Sequence, residues 1–274
     1  QSGYRVFTPG DQVEPEPAIY VPSHYAPLDR FIGGYPVAGL TIVAGITGTG
    51  KTSFLIELAV SAAAAGRTCA ILTLEMTNGQ IMYRMLEIEP RLTKKSRKNI
   101  LLSDDVYSVD EVYAEASQLA AQRKLYFIGV DYADMLVGTR EQDEAVMGKV
   151  YNTMAVLAKK LKIPVILVAQ YRRTDGRIPT IDDIRYSGRA EQAAAMILLL
   201  YNPNKVWHRS YMVEDGNPLT VIEGTAHIVV GKTRFKGPKQ KSAIGGIRVF
   251  WKDNGGRWGD AGGKEAWTDL TGRI

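Results

Sequence analysis

The sequence predicts an α/β domain in which a mostly parallel central sheet carries helices on both faces and is extended by antiparallel strands toward the C-terminus. Three observations predict it. Apolar runs of strand length alternate with helix-length amphipathic patterns from Leu28 to Leu200, and a glycine-rich turn joins the first of those runs to the first helix. After Leu200 the helix patterns stop and the alternation becomes that of paired strands.

Taken in order, residues 1–27 carry Pro9, Pro15, Pro17, Pro22 and Pro27 among polar neighbours, which suits a linker or N-terminal extension. The folded domain is expected over residues 28–251. Strands are expected at residues 40–44, 69–74, 99–102, 125–130, 164–168 and 196–200, and helices at 52–65, 79–88, 109–123, 144–161 and 187–194. Gly66 supplies the stop for the first helix, and Ser108 with Glu111 forms a capping box at the start of the third. Residues 202–225 are a polar excursion; 226–230 and 247–251 then alternate like paired strands around a basic turn at 232–241. Residues 252–274 form a Gly-rich tail.

With 274 residues and 45% hydrophobic content, the chain can bury one sizeable core. Lys and Arg total 34 against 29 Asp and Glu, so the net charge of +5 permits a polyanionic partner without demanding one. The single cysteine, Cys69, lies in an apolar run, which excludes a disulfide framework or a thiolate metal site and suits a reducing cytoplasm. The longest apolar run, residues 193–201, is less than half of the roughly 20 residues a membrane-spanning helix needs, so no membrane partner is expected. Gln at position 1 suggests that the natural protein is longer.

The chemistry is carried first by Gly45-Ile46-Thr47-Gly48-Thr49-Gly50-Lys51-Thr52, a phosphate-loop pattern between an apolar strand and an amphipathic helix. Glycines let backbone N–H groups wrap phosphates, and the helix start adds its positive dipole end. Lys51 is expected to reach the β- and γ-phosphates of ATP, and the Thr52 hydroxyl to ligate Mg²⁺. In open α/β sheets the ligand sits beyond the carboxyl ends of the strands. Asp131 closes one strand there and is placed to hold Mg²⁺ through water. Glu75 follows another and could take a proton from an attacking water; alone, it fits a helix cap or surface acid as well. Gln170 ends a third, and its amide suits γ-phosphate sensing rather than base catalysis; a solvated strand end is the other reading.

Five stretches in chain order resemble the DnaB-type replicative helicases, a ring-forming branch of the RecA-like ATPases. They are Leu28-Asp29-Arg30-Phe31-Ile32-Gly33-Gly34, Leu74-Glu75-Met76, Val130-Asp131-Tyr132-Ala133-Asp134-Met135, Ile181-Asp182-Asp183-Ile184-Arg185-Tyr186-Ser187-Gly188 with Glu191-Gln192, and Val230-Gly231-Lys232-Thr233-Arg234-Phe235-Lys236-Gly237-Pro238. The resemblance implies a RecA-like fold and an ATP hydrolase that drives a DNA helicase, working as a hexamer on single-stranded DNA with 5′ to 3′ polarity. It implies that Glu75 is the catalytic glutamate and that Lys232 and Arg234 act in trans on the γ-phosphate held by a neighbouring subunit. It also places Arg185, Tyr186 and Gly188 on the DNA, with Arg172, Arg173, Arg177 and Arg189 adding charge nearby. A primase or helicase loader is implied as a further partner. Two departures stand out: the family has a glutamate where this chain has Tyr186, and its helical N-terminal domain and linker helix have no counterpart here. Trp258 and Trp267 match no motif, and core packing or disorder is favoured over base stacking for them. The competing readings are a RecA-like recombinase and a ring ATPase that regulates without translocating.

Overall fold

The computed structural model describes residues 20–89, 92–131, 133, 144–174, 177–202, 212–214, 217–219, 225–234, 245–252, 257–260 and 267–269. Its elements are β1 (Tyr20–Val21), α1 (Ala26–Phe31), β2 (Tyr35–Pro36), β3 (Leu40–Gly45), α2 (Lys51–Ala64), β4 (Cys69–Thr73), α3 (Asn78–Ile88), α4 (Lys94–Arg97), β5 (Ile100–Ser103), α5 (Val109–Gln122) and β6 (Phe127–Asp131). They continue with α6 (Glu144–Leu161), β7 (Val165–Gln170), a 3-10 turn at Ile181–Asp183, α7 (Ser187–Ala193), β8 (Met196–Tyr201), β9 (Met212–Glu214), β10 (Asn217–Leu219), β11 (Thr225–Thr233), β12 (Gly245–Lys252), β13 (Arg257–Asp260) and β14 (Trp267–Asp269). The ten-stranded sheet runs β13-β12-β11-β8-β3-β7-β6-β4-β5, with β14 also on β12. From β8 to β5 every pairing is parallel; β11, β12, β13 and β14 add on antiparallel.

Successive residues of the parallel strands feed two different cores, as the period of two requires. Val43, Ile71, Phe127 and Val168 face the layer formed by α1, α2 and α3; Ile42, Ala44, Leu72, Val130 and Leu167 face α5, α6 and α7. Helix α2 is pressed against β6 at Gly129, where an added Cβ would come within 2.6 Å of the Leu55 Cδ1. That close approach seats the helix carrying Lys51 and Thr52 on the strand that ends in Asp131.

The described fold reaches past the limits expected from composition. Before Leu28, β1 pairs with β2 and Tyr25 is buried. Helix α1 begins at Ala26 because Pro27 falls in its first turn, where the missing N–H costs no helical hydrogen bond. After Trp251, β13 and β14 pair with β12. Among the described residues no helix is long and apolar enough to cross a membrane.

Candidate functional site

Four adjacent parallel strands bring the phosphate loop and three acidic or amide side chains to one edge of the sheet. Gly45 at the end of β3 is in register with Gln170 at the end of β7, and Asp131 at the end of β6 with Thr73 at the end of β4. Glu75 is exposed two residues beyond β4. The loop turns through Gly48 (φ 81°) and Gly50 (φ 95°), conformations that a side chain would resist. Ile46 O accepts from Thr49 N (3.2 Å), Thr49 Oγ1 (2.8 Å) and Lys51 Nζ (3.1 Å). An added Cβ on Gly45 would meet the Lys51 Cγ at 2.9 Å, so this glycine leaves the lysine stem its path over the loop. Gly50 caps α2 without a side-chain bond, and the start of this helix presents the positive end of its dipole, the arrangement that binds anions.

The Thr52 hydroxyl donates to the Asp131 Oδ2 at 2.7 Å. Asp131 is 1% exposed, and its other oxygen, Oδ1, has no hydrogen-bond partner. Burial raises its pKa to about 6; the Thr52 hydroxyl opposes the rise, Glu75 adds to it, and Lys51 and Arg84 reduce it. A buried carboxylate with one orphaned oxygen, bonded to a phosphate-loop threonine, fits a divalent cation. Among the described residues no cluster of three or more His, Cys, Asp or Glu side chains could hold a metal, so such a cation would take its remaining ligands from phosphate and water. Gln170 Nε2 donates to the Thr47 Oγ1 at 2.9 Å, tying the neighbouring strand end to the loop.

The other predicted residues lie apart from this cluster. Lys232 and Arg234 follow a register shift in β11 after Val230, at the opposite end of the strands, beside the start of β8. Thr233, Met196 and Thr41 align across β11, β8 and β3, so the chain's own Gly45 lies further along by on the order of 13 Å of strand. Lys232 Nζ donates to Glu191 O, Arg234 NH2 to Gln192 O (3.2 Å), and Arg234 N to Ala195 O (2.7 Å). Both cations thus end on carbonyls around the C-terminus of α7. Burial lowers the Lys232 pKa and Arg234 lowers it further, against the pull of Glu191.

Helix α7 starts where the predicted DNA loop ends. Tyr186 is its N-cap in the left-handed region (φ 55°, ψ 46°), and a Cβ on Gly188 would meet nothing within 4 Å. The loop before it is pinned from three sides. Arg172 N donates to Asp183 O at 2.8 Å, Tyr171 bridges to Ile184, and Tyr151 Oη donates to Arg185 O at 3.4 Å. Asp183 accepts from both Arg177 terminal nitrogens and from Thr180 N; burial raises its pKa, but these bonds outweigh that and leave it below the usual carboxylate value. Two arginines expected to add charge here are therefore committed: Arg177 to Asp183, and Arg189 to Glu144 at 3.2 Å. Arg172 and Arg173 are exposed. Tyr132, Asp134, Met135 and residues 235–238 lie outside the described residues.

Sequence patterns missed two contributors. Arg84 of α3 acts on Asp131 electrostatically, and Trp258 of β13 donates its indole N–H to Gly50 O at 3.0 Å. Neither has a local signal, because each reaches the loop only through tertiary packing.

A family model described as "DnaB-like helicase C terminal domain" matches residues 20–109 and 87–254. The replicative DNA helicase DnaB of Geobacillus stearothermophilus is 26% identical over 263 residues, covering 85% of this chain and 56% of that protein. The chain spans about half the length of the curated relatives it matches. Among solved structures, a DnaB-like replicative helicase described with its interactions with primase superposes at TM-score 0.73 and 19% identity, covering 89% of this chain and 62% of the other. A KaiC-like protein from the hyperthermophilic archaeon Pyrococcus horikoshii gives 0.64 at 18%, covering 88% and 99%. These likenesses establish a RecA-like ATPase fold. With the family model matched over most of its length, the chain belongs to the DnaB-like helicase C-terminal domain family.

Proposed function

We propose that this chain is the ATP-hydrolysing motor domain of a ring-forming replicative DNA helicase that moves along single-stranded DNA, with the cytoplasm as its compartment. One observation carries the reading: Lys232 and Arg234 lie toward the opposite ends of the strands from the chain's own phosphate loop. They can serve a nucleotide only if it is held by another copy. Hydrolysis then takes place where two protomers meet, which makes it depend on assembly.

In this reading Lys51 and the first-turn N–H groups of α2 bind the triphosphate, with the Lys51 stem passing over Gly45. Thr52 and Asp131 would hold Mg²⁺, which when bound would offset phosphate charge. Glu75 takes the proton of the attacking water, and Gln170, tied to Thr47, orients the γ-phosphate side of the site. Arg185 and the backbone around Gly188 hold DNA phosphates without reading bases, as a motor indifferent to sequence requires. Tyr186, held as the N-cap of α7, turns the chain there rather than replacing a carboxylate. A primase or helicase loader is a further partner to test.

Electron microscopy of the chain with a non-hydrolysable ATP analogue and oligo-dT tests this. A closed six-membered ring is expected; a filament indicates a recombinase, and a chain that stays monomeric contradicts the reading.

A further inference from the structure

We infer that Trp258 is a positioning residue for phosphate binding, its indole N–H fixing the Gly50 carbonyl and so aiming the Lys51 N–H of the same peptide at the phosphates. This rests on the reading of residues 45–52 as a phosphate loop. Trp258 is 0% exposed, although it lies in β13, more than 200 positions from the loop it touches. Its Nε1–H donates to Gly50 O at 3.0 Å, an oxygen that also accepts from Phe54 N at 2.9 Å. The tryptophan is itself held: Tyr25 Oη donates to Trp258 O at 3.0 Å. Phe54 packs edge-on against both rings, with centroids 5.6 Å from each. Aromatic side chains from the start of α1, from α2 and from β13 thus meet behind the phosphate loop.

The planarity of the peptide turns this contact into a positioning device. Gly50 C=O and Lys51 N–H belong to one trans peptide and point in opposite directions, so a donor on the carbonyl sets the direction of the N–H. Gly50 has φ 95° and no side chain, and its carbonyl takes two donors, the helical Phe54 N–H and the indole, which together set the direction of the peptide. A hydrogen bond on the carbonyl also polarises the peptide and strengthens the N–H as a donor. Packing alone would need a ring at position 258; positioning needs the indole donor as well.

Trp258→Phe keeps a ring and removes the donor. The dissociation constant for ADP, measured by calorimetry, should rise about three- to tenfold, because the Lys51 N–H is then less well aimed and less polarised as a phosphate donor. The KM for ATP should rise by the same factor while kcat stays within about twofold, the pattern of an interaction made equally in ground and transition states. Equal ADP affinity in parent and variant, or a lowered kcat at unchanged KM, overturns the inference and leaves the phosphate-loop reading intact. A parent chain that binds no ADP removes that reading and this inference together. Should Trp258→Phe fail to fold, the indole ¹⁵N–H resonances of the unaltered chain carry the test. The Trp258 peak, identified by elimination with Trp207→Phe, Trp251→Phe and Trp267→Phe, should shift on titration with pyrophosphate. A peak that stays in place through saturation overturns the inference.

Discussion

Asp131 is buried as an ion that the fold alone does not satisfy. Its pKa is raised to about 6 from an ordinary 3.8, so the folded chain holds this proton more tightly than the unfolded chain does. Stability from this group is therefore present below the unfolded value and is lost as pH rises through about 6. The loss at neutral pH is of the order of 2 to 3 kcal/mol. Asp131→Asn should accordingly raise the melting temperature of the nucleotide-free chain at pH 7.5 and leave it nearly unchanged at pH 4, while Mg²⁺-dependent ATP hydrolysis falls to background. Equal stabilisation at both pH values would show that charge burial is not the cause. Cys69 illustrates burial without function: its thiol is pushed up to about 12 by desolvation, in keeping with its apolar sequence context. At this scale the loop, Asp131 and Gln170 were legible because strand ends and glycines leave local patterns. Trp258 and Arg84 were not, because nothing near them in sequence refers to the loop they act on.

At the scale of elements, α7 is the connection that matters. The predicted DNA residues Arg185 to Gly188 stand at its start, and Lys232 and Arg234 reach carbonyls around its end. The bulge at Gly231 also faces the loop, since a Cβ there would lie 3.0 Å from Ile181 Cγ1. A shift of α7 would therefore move both the residues proposed to hold DNA and the cations proposed to act on a neighbour. Arg185→Ala should weaken oligo-dT binding several-fold and lower the slope of log affinity against log salt by about one, because one phosphate contact is lost. An unchanged slope would take Arg185 off the DNA. The periodic elements, from β3 through β8, lie within a few residues of where apolar spacing predicts them. Helix α1 was not predicted because proline content reads as linker when its position in the first turn is unknown. Strands β13 and β14 are only four and three residues long, and pairing with β12 defines them.

For the whole molecule, the decisive feature is that Lys232 and Arg234 lie toward the opposite ends of the strands from the chain's own phosphate loop. Residue order alone cannot convey this, since it depends on β11 running antiparallel to β8. In the proposed head-to-tail ring, one repeated interface would bring those cations to the phosphate loop of the adjacent copy. Mixing Lys51→Ala subunits with Arg234→Ala subunits, each inactive alone, measures this directly. In rings of random composition about a quarter of the interfaces join an intact phosphate loop to an intact finger, so ATP hydrolysis should return in part. Mixed rings that form and remain as inactive as either variant alone would contradict a site shared between protomers.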